Sequence, residues 1–298
     1  MTGHVPVLTA QVVHHLQPGR GGVFVDCTVG LGGHSSALLA AGAARIIGVD
    51  RDLDALDRAR ETLAPWLERV ELVHADYRSI DAVLDRLGVP VVDGALADLG
   101  VSSMQFDDPG RGFSFQRDDP LDMRMDRSGG ETAADLVARS TERELADAIF
   151  QYGEERYSRR IARAIVDARH RAPIDTTGRL AAIVRRALPR RGWTGIDPAT
   201  RTFQALRIWV NRELEGLDRF LEAAARRLRS GARLVVITFH SLEDRIVKHT
   251  FRALEHSDMA AMNVLTRRPI VPTEEEVQRN PRARSAKLRA AERVSGRA

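Results

Sequence analysis

Four short runs of Val, Ile and Leu within the first hundred residues each close on an acid: GVFVDC at 22–27 around Asp26, RIIGVD at 45–50 ending in Asp50, VELVHAD at 70–76 ending in Asp76, and VVDGALADLG at 91–100 holding Asp98. None alternates cleanly between polar and apolar residues, which is the pattern of strands buried on both faces of a parallel sheet. Between them lie HSSALLAAGA, DLDALDRARETLAPWL and IDAVLDRLG, helical in pattern and each suited to a right-handed crossover. A fifth run, ARLVVITF at 232–239, resumes the rhythm much later. The spacing predicts an α/β fold built on a doubly wound sheet.

The rhythm breaks between the fourth and fifth runs. From about Met104 to Thr200 no convincing strand occurs; a loop rich in Gly, Pro, Asp and Phe leads into helical patterns such as ADLVARSTERELADAIFQYGEERYSRRIARAIVDARHR. A chain of 298 residues accommodates one large domain carrying an insertion. The expected organisation is a first part of the core over 1–103, an inserted helical domain over 104–200, and a second part of the core over 201–298. FQALRIWVNRELEGLDRFLEAAARRL reads as one long helix leading into the fifth strand.

Charge is unevenly placed. Between Arg156 and Arg191 stand eleven arginines against two acids, Asp167 and Asp175, an excess of nine positive charges in a chain whose net charge is +4. The rest of the molecule is therefore net acidic, and one region is set apart to meet a polyanion. Arg156, Arg159, Arg160 and Arg163 fall at helical spacing opposite Ile161, Ile165 and Ala168, giving a charged face and a packing face. A single cysteine, Cys27, excludes a disulfide framework, and no zinc-type cluster of Cys and His occurs, so no metal is expected. The opening residues MTGHVPVLTAQVVHHL lack the charged start and apolar run of a signal peptide, and no run of about 18 apolar residues is present. A cytoplasmic protein with no membrane segment is expected.

The stretch FVDCTVGLGGHSSALL places Gly30, Gly32 and Gly33 in a turn between the first strand and a helix, where glycine lets the backbone approach a ligand. A dinucleotide fingerprint counted from Gly30 needs a third glycine where Ser35 stands. Asp26 would repel a diphosphate but suits the ammonium of a bound amino acid, which favours S-adenosylmethionine over NAD. Asp50 ends the second strand, where an acid takes both ribose hydroxyls. Asp76 and Tyr77 follow the third, where a polar group and a ring can flank an adenine. The competing structural account is that these acids cap helices. Other function classes consistent with such a fold are an NAD-type oxidoreductase and an RNA-binding assembly factor without catalysis.

The stretches DCTVGLGGHS, DLGVSSMQFDDPGRGFSFQRDDPLDMRMD, YGEERYSRRIARAIV, PATRTFQALRIWVNRELE, ITFHSLEDRIVK and NPRARSAKLRAAER resemble the RsmH (MraW) family of bacterial 16S ribosomal RNA cytosine-N4 methyltransferases, over about His4 to Arg293. The resemblance implies a class I S-adenosylmethionine-dependent methyltransferase with a helical insertion. Its target is a cytidine of the decoding region in 16S rRNA within the small ribosomal subunit, and a homodimer is one admissible state. Carried over by motif, the cofactor contacts are Gly32, Gly33, His34, Asp50, Tyr77, Asp98 and Gln105; Tyr77 stands where phenylalanine also occurs in similar sequences. The segment 254–277 is shorter than in some relatives.

Residue chemistry adds to the resemblance. The cytosine amine is a poor nucleophile because its lone pair is delocalised into the ring, and DLGVSS lacks the prolines with which many amino-methyltransferases follow the fourth strand. Asp98 is then the carboxylate available to accept N4 hydrogens and act as the catalytic residue; equally, it can serve only to orient cofactor. His34 and His240 are further polar candidates. In FHSLEDR, His240, Ser241 and Asp244 either open onto the carboxyl edge of the sheet or form a cap, with Ser241 at its head. In DDPGRGFSFQRDDPLDMRMD, Phe113 and Phe115 among arginines suit the stacking of an extruded base, or else pack as a self-contained lid.

Overall fold

A computed structural model describes residues 6–189, 195, 197–257 and 260–294. The chain divides into two compact units, the first formed by Met1–Gly100 with Leu214–Ala298 and the second by Val101–Glu213. In the first, α1 (Thr9–Leu16) precedes β1 (Val23–Asp26), α2 (Gly33–Ala40), β2 (Arg45–Asp50), α3 (Leu53–Thr62), β3 (Val70–His74), α4 (Ile80–Arg86) and β4 (Val92–Asp98). The second unit holds α5 (Ser103–Asp107), α6 (Ala133–Arg139), α7 (Glu142–Gly153), α8 (Ser158–Arg169), α9 (Thr177–Ala187) and α10 (Thr200–Asn211). The chain then returns to the first unit with α11 (Leu217–Arg227), β5 (Leu228–Thr238), α12 (Ser241–Leu254), β6 (Met262–Val264), α13 (Glu274–Arg279) and β7 (Lys287–Arg293).

All five apolar runs are strands. They join β6 and β7 in one seven-stranded sheet of order β3-β2-β1-β4-β5-β7-β6, in which β1 to β5 run parallel and β7 runs antiparallel to both its neighbours. The strand order reverses between β1 and β4, the place where open α/β sheets bind ligands at the carboxyl ends of their strands. Each face of the sheet is covered by helices. Val83, Leu84, Phe220, Leu221, Val247 and Phe251 of α4, α11 and α12 pack in one cluster, while Val12, Leu38, Leu39, Leu56 and Ala59 of α1, α2 and α3 pack in another. Burial on both faces explains why the strand sequences do not alternate.

The second unit is helical. Leu145, Ile149, Ile161, Ile165, Leu180, Val184, Phe203 and Leu206 form its core, and among its described residues the only ladder contact is an isolated bridge between Pro120 and Thr176. It extends past residue 200, where the sequence places the return to the core. The reason lies in α10: Phe203 and Leu206 are buried in this unit's core, and Gly153 at the end of α7 lies so close to α10 that a Cβ there would come within 2.5 Å of the Arg201 carbonyl oxygen. The expected single helix over 203–228 is in fact α10 and α11. Arg212 takes a left-handed backbone (φ 50°) that ends the first, and Gly216 (φ 69°) heads the second. The helix expected over DLDALDRARETLAPWL stops at Thr62, and the stretch with Pro65 continues as a 3-10 turn over Ala64–Arg69.

Candidate active site at the carboxyl edge of the sheet

Asp26, Asp50 and Asp98 end β1, β2 and β4 and so stand on one edge of the sheet, around its reversal point. The turn after β1 is laced to the neighbouring strands. The Thr28 hydroxyl accepts the Asp98 backbone N–H at 2.6 Å. Asp50 accepts the Gly30 N–H on Oδ2 at 2.8 Å and the Asp52 N–H on Oδ1 at 2.9 Å. Burial raises the Asp50 carboxyl above its ordinary range, and these two N–H groups only partly offset that. Each Asp50 oxygen keeps accepting capacity beyond its one backbone bond, as a ribose diol requires.

The glycines divide in use. A Cβ on Gly33 would lie 2.5 Å from Cγ of Pro6, and one on Gly32, which heads α2 at φ 81°, would lie 3.0 Å from Cγ of Leu63. Their space is taken by the protein itself. At Gly30 the nearest atom to such a Cβ, the Thr28 carbonyl oxygen, is 3.8 Å away, so the open part of the turn is at Gly30.

Asp26 is 1% exposed and accepts from the Ser35 hydroxyl at 2.7 Å and the Thr28 N–H at 3.3 Å. Burial pushes its carboxyl up to about 6, against the pull of His34 and these bonds. His34, in the first turn of α2, sets Nε2 3.4 Å from Oδ2 of Asp98 without hydrogen-bond alignment. Both His34 ring nitrogens and Asp98 Oδ1 are buried with no hydrogen-bond partner in the protein. Leaving such atoms unmade costs about 1–3 kcal/mol each, so a cluster of three marks a surface built for the donors and acceptors of a ligand.

After β3, Asp76 has its own local work. It caps the 3-10 turn Tyr77–Ser79 by accepting the Arg78 N–H at 2.9 Å, and it holds the Arg78 guanidinium at 2.8 and 2.5 Å. Burial disfavours its charge, but the Arg78 bonds prevail and keep the carboxyl below the ordinary range. The Tyr77 ring packs at 58° on Phe220, centroids 4.6 Å apart, and burial raises its hydroxyl well above the usual range.

In the second unit, Gln105 forms a capping box: its Oε1 accepts the Ser102 N–H at 3.0 Å and the Ser102 hydroxyl accepts the Gln105 N–H at 3.3 Å, fixing the start of α5. The aromatic loop that follows is an ordered body. Buried Arg111 donates to the Met125 carbonyl at 2.9 Å, Asp122 and Arg124 pair through two bonds, and Asn211 accepts the Met125 N–H and donates to the Met123 carbonyl, both at 2.8 Å. Phe113 is buried against Phe106, and Phe115 packs on Phe203 at 4.7 Å with the Arg185 guanidinium 5.6 Å over its ring. The rings of Phe113 and Phe115 pack within the unit, as the lid account expects.

At the end of β5 the cap of α12 is His240, not Ser241. Its Nδ1 accepts the Glu243 N–H at 3.4 Å, and Glu243 in turn accepts the Phe239 N–H at 3.0 Å. Asp244 is held by Arg289 at 2.7 and 3.2 Å and lies 3.6 Å from Lys287, both on β7, rather than open to the edge. Thr28, Glu243 and Arg289 are absent from the sequence-derived set. Only Glu243 carries a local signal, an acid three residues after a capping residue. Just before α8, Arg156 stacks at 4.8 Å on Tyr157; on α8, Arg163 stands 3.5 Å from Glu142, and Arg159 and Arg160 are exposed; Arg190 and Arg191 lie outside the described residues.

A seven-stranded sheet in this order, its last strand antiparallel, with acids and unpartnered polar groups at the reversal point, defines a class I methyltransferase. Residues 1–294 match the model of the MraW methylase family, and the chain belongs to that family. It is 53% identical over 293 residues to the ribosomal RNA small subunit methyltransferase H of Sorangium cellulosum (strain So ce56), covering 98% of this chain and 91% of the relative. It is 48% identical over 305 residues to the enzyme of the same name from Carboxydothermus hydrogenoformans, covering 98% of each. Among solved structures, a SAM-dependent O-methyltransferase from Thermotoga maritima aligns at 12% identity over all of this chain and 70% of its own, with a TM-score of 0.44. Family membership overturns the oxidoreductase reading of the glycine turn.

Proposed function

We propose that this methylase transfers a methyl group from S-adenosylmethionine to the exocyclic N4 of a cytidine in 16S rRNA, met within the small ribosomal subunit in the cytoplasm. The observation that carries the reading is the cluster of buried, unpartnered polar atoms on His34 and Asp98 at the reversal point of the sheet. The relatives' common name, ribosomal RNA small subunit methyltransferase H, supports the substrate class. Among the described residues no helix is long and apolar enough to cross a membrane.

The residues present fit the cofactor. Asp50 has capacity left for the ribose hydroxyls, Asp26 supplies a carboxylate for the ammonium, the turn at Gly30 leaves room for close approach, and Tyr77 offers a ring for the adenine. When bound, the group supplies an activated methyl, the S–CH3 bond breaking with its electron pair going to sulfur. The chain's own task is to hold the amine in line and take the proton it loses. Positioning supplies most of the rate, and Asp98, at the end of β4, is assigned as the acceptor. The second unit, with its arginine excess, is assigned to RNA recognition. Gln105 is assigned to the cofactor as well, from its place in the loop after β4.

The test is product identity. Small subunits lacking the modification are incubated with the enzyme and methyl-labelled S-adenosylmethionine, and the rRNA is digested to nucleosides. N4-methylcytidine as the labelled product is the expected result. Label on a ring carbon, on a ribose hydroxyl, or absent from RNA altogether sinks the assignment.

A further inference from the structure

The resemblance counts His34 among the cofactor contacts but assigns its imidazole no part in the transfer itself. Its imidazole is buried on the first turn of α2, and neither ring nitrogen is hydrogen-bonded in the protein. A satisfied core histidine has a carbonyl or hydroxyl on at least one nitrogen; this one has only a carboxylate oxygen, Asp98 Oδ2, 3.4 Å from Nε2. The Asp98 backbone is fixed by the Thr28 hydroxyl, so its carboxylate cannot drift from the ring by movement of the strand end. Asp26 stands near both, close enough for His34 to draw its carboxyl down and for Asp98 to push it up. The charged groups facing His34 are thus Asp98 from β4 and Asp26 from β1, and α2 carries no other ionisable side chain.

We infer that His34 is the positioning residue of Asp98 in the proposed methyl transfer: it orients the carboxylate toward the amine and receives from it the proton that N4 must lose. The inference rests on the proposed reaction. The amine carries two hydrogens and gains one carbon, so one N–H bond breaks, its electron pair stays on nitrogen, and the proton goes to an Asp98 oxygen. Passing that proton to Nε2 restores the carboxylate and leaves the charge on the imidazole beside it. Without His34 the proton remains on Asp98 until water takes it, and Asp98 is slower to act again.

Two measurements decide this, one without turnover. In protein labelled with 15N-histidine, the resonances of the His34 ring nitrogens are compared by NMR at one pH in wild type and in Asp98→Asn. Loss of the neighbouring carboxylate should move the Nε2 resonance; unchanged ring resonances overturn the pairing. In the second, His34→Gln, which keeps a hydrogen-bonding group but accepts no proton, should slow single-turnover methylation of small subunits about tenfold or more and displace the acidic limb of the rate–pH profile. The rates are taken at saturating S-adenosylmethionine, so that any share of His34 in holding the cofactor, read as Kd by calorimetry, is separated from the transfer, and the thermal midpoint establishes folding. A rate loss with the wild-type pH profile, or a loss confined to Kd, means a structural or cofactor role and overturns the inference. Should wild type make no N4-methylcytidine, the proposed function falls separately, and the NMR comparison still decides whether the pair exists.

Discussion

The strand-end site of the first unit and the aromatic loop of the second use the same residue types to opposite effect. At the strand ends, Asp26 and Asp50 are raised by burial, and His34 and Asp98 keep buried polar atoms without partners. In the loop, Asp122 is buried too, but Arg124 meets it with two bonds and lowers it, while Asn211 satisfies the backbone at Met123 and Met125. Asp197, also in the second unit, is lowered in the same way by Arg185. The first set is paid for in folding stability and kept for a ligand; the second serves the fold.

The comparison is tested first by pH. A carboxyl raised in the folded state gives stability that is full below its unfolded pKa and lost as pH rises through the folded value. For Asp26, from 3.8 to about 6, that amounts to about 3 kcal/mol lost between about pH 4 and 6. Asp26→Asn should therefore flatten the fall in thermal midpoint over this window. Asp122, lowered by Arg124, has the opposite sign: its contribution is present above the ordinary carboxylate range and lost as pH falls. Asp122→Asn should cost stability at neutral pH and little in acid. Parallel profiles for the two variants break the comparison.

The next largest effect concerns turnover. Asp98→Asn keeps size and one acceptor but cannot take a proton, so single-turnover rate at saturating cofactor and RNA should fall by about 10² or more, with binding less affected. A rate near wild type would move the role to another acceptor, such as a backbone carbonyl of the loop from Gly100 to Ser103. Asp50→Ala should weaken S-adenosylmethionine binding at least about tenfold, since hydrogen bonds to a charged acceptor contribute about 1.5–3 kcal/mol each. Unchanged affinity by calorimetry, in a variant that retains its fold, refutes the ribose assignment. The smallest effect is expected on the exposed arginines. Arg159→Gln with Arg160→Gln should lower RNA affinity and flatten its salt slope by roughly one unit per lost phosphate contact, leaving cofactor affinity alone. Arg163 is the poorer choice because Glu142 already stands beside it.

The parallel core was legible because burial on both faces writes itself as unbroken apolar runs, and the acids ending them mark the carboxyl edge. What escaped was decided by tertiary partners. Lys287–Arg293, KLRAAER, is made of good helix formers, yet it is a strand because β5 and β6 flank it and Ala290 and Ala291 fit a crowded sheet. The break between α10 and α11 falls at Arg212, a non-glycine residue in a left-handed conformation that no propensity announces. Phe113 and Phe115 were ambiguous because sequence shows their polar neighbours in the chain but not Phe106, Phe203 and Arg185 in space. For the same reason the capping role of His240 and the pairing of Asp244 with Arg289 were hidden.

The position of β7 has a consequence for biosynthesis. This strand is made last of the seven yet sits inside the sheet, bonded to β5 along Arg233–Thr238. A growing polypeptide that has released Leu234, Val235, Val236 and Ile237 exposes a bare apolar edge until residues 287–293 emerge. Edges of that kind recruit other chains, so the interval is one of vulnerability to aggregation. Shielding of nascent β5 by a chaperone, or a pause-free passage through the roughly fifty codons that separate β5 from β7, should govern how much of the newly made enzyme reaches its native state.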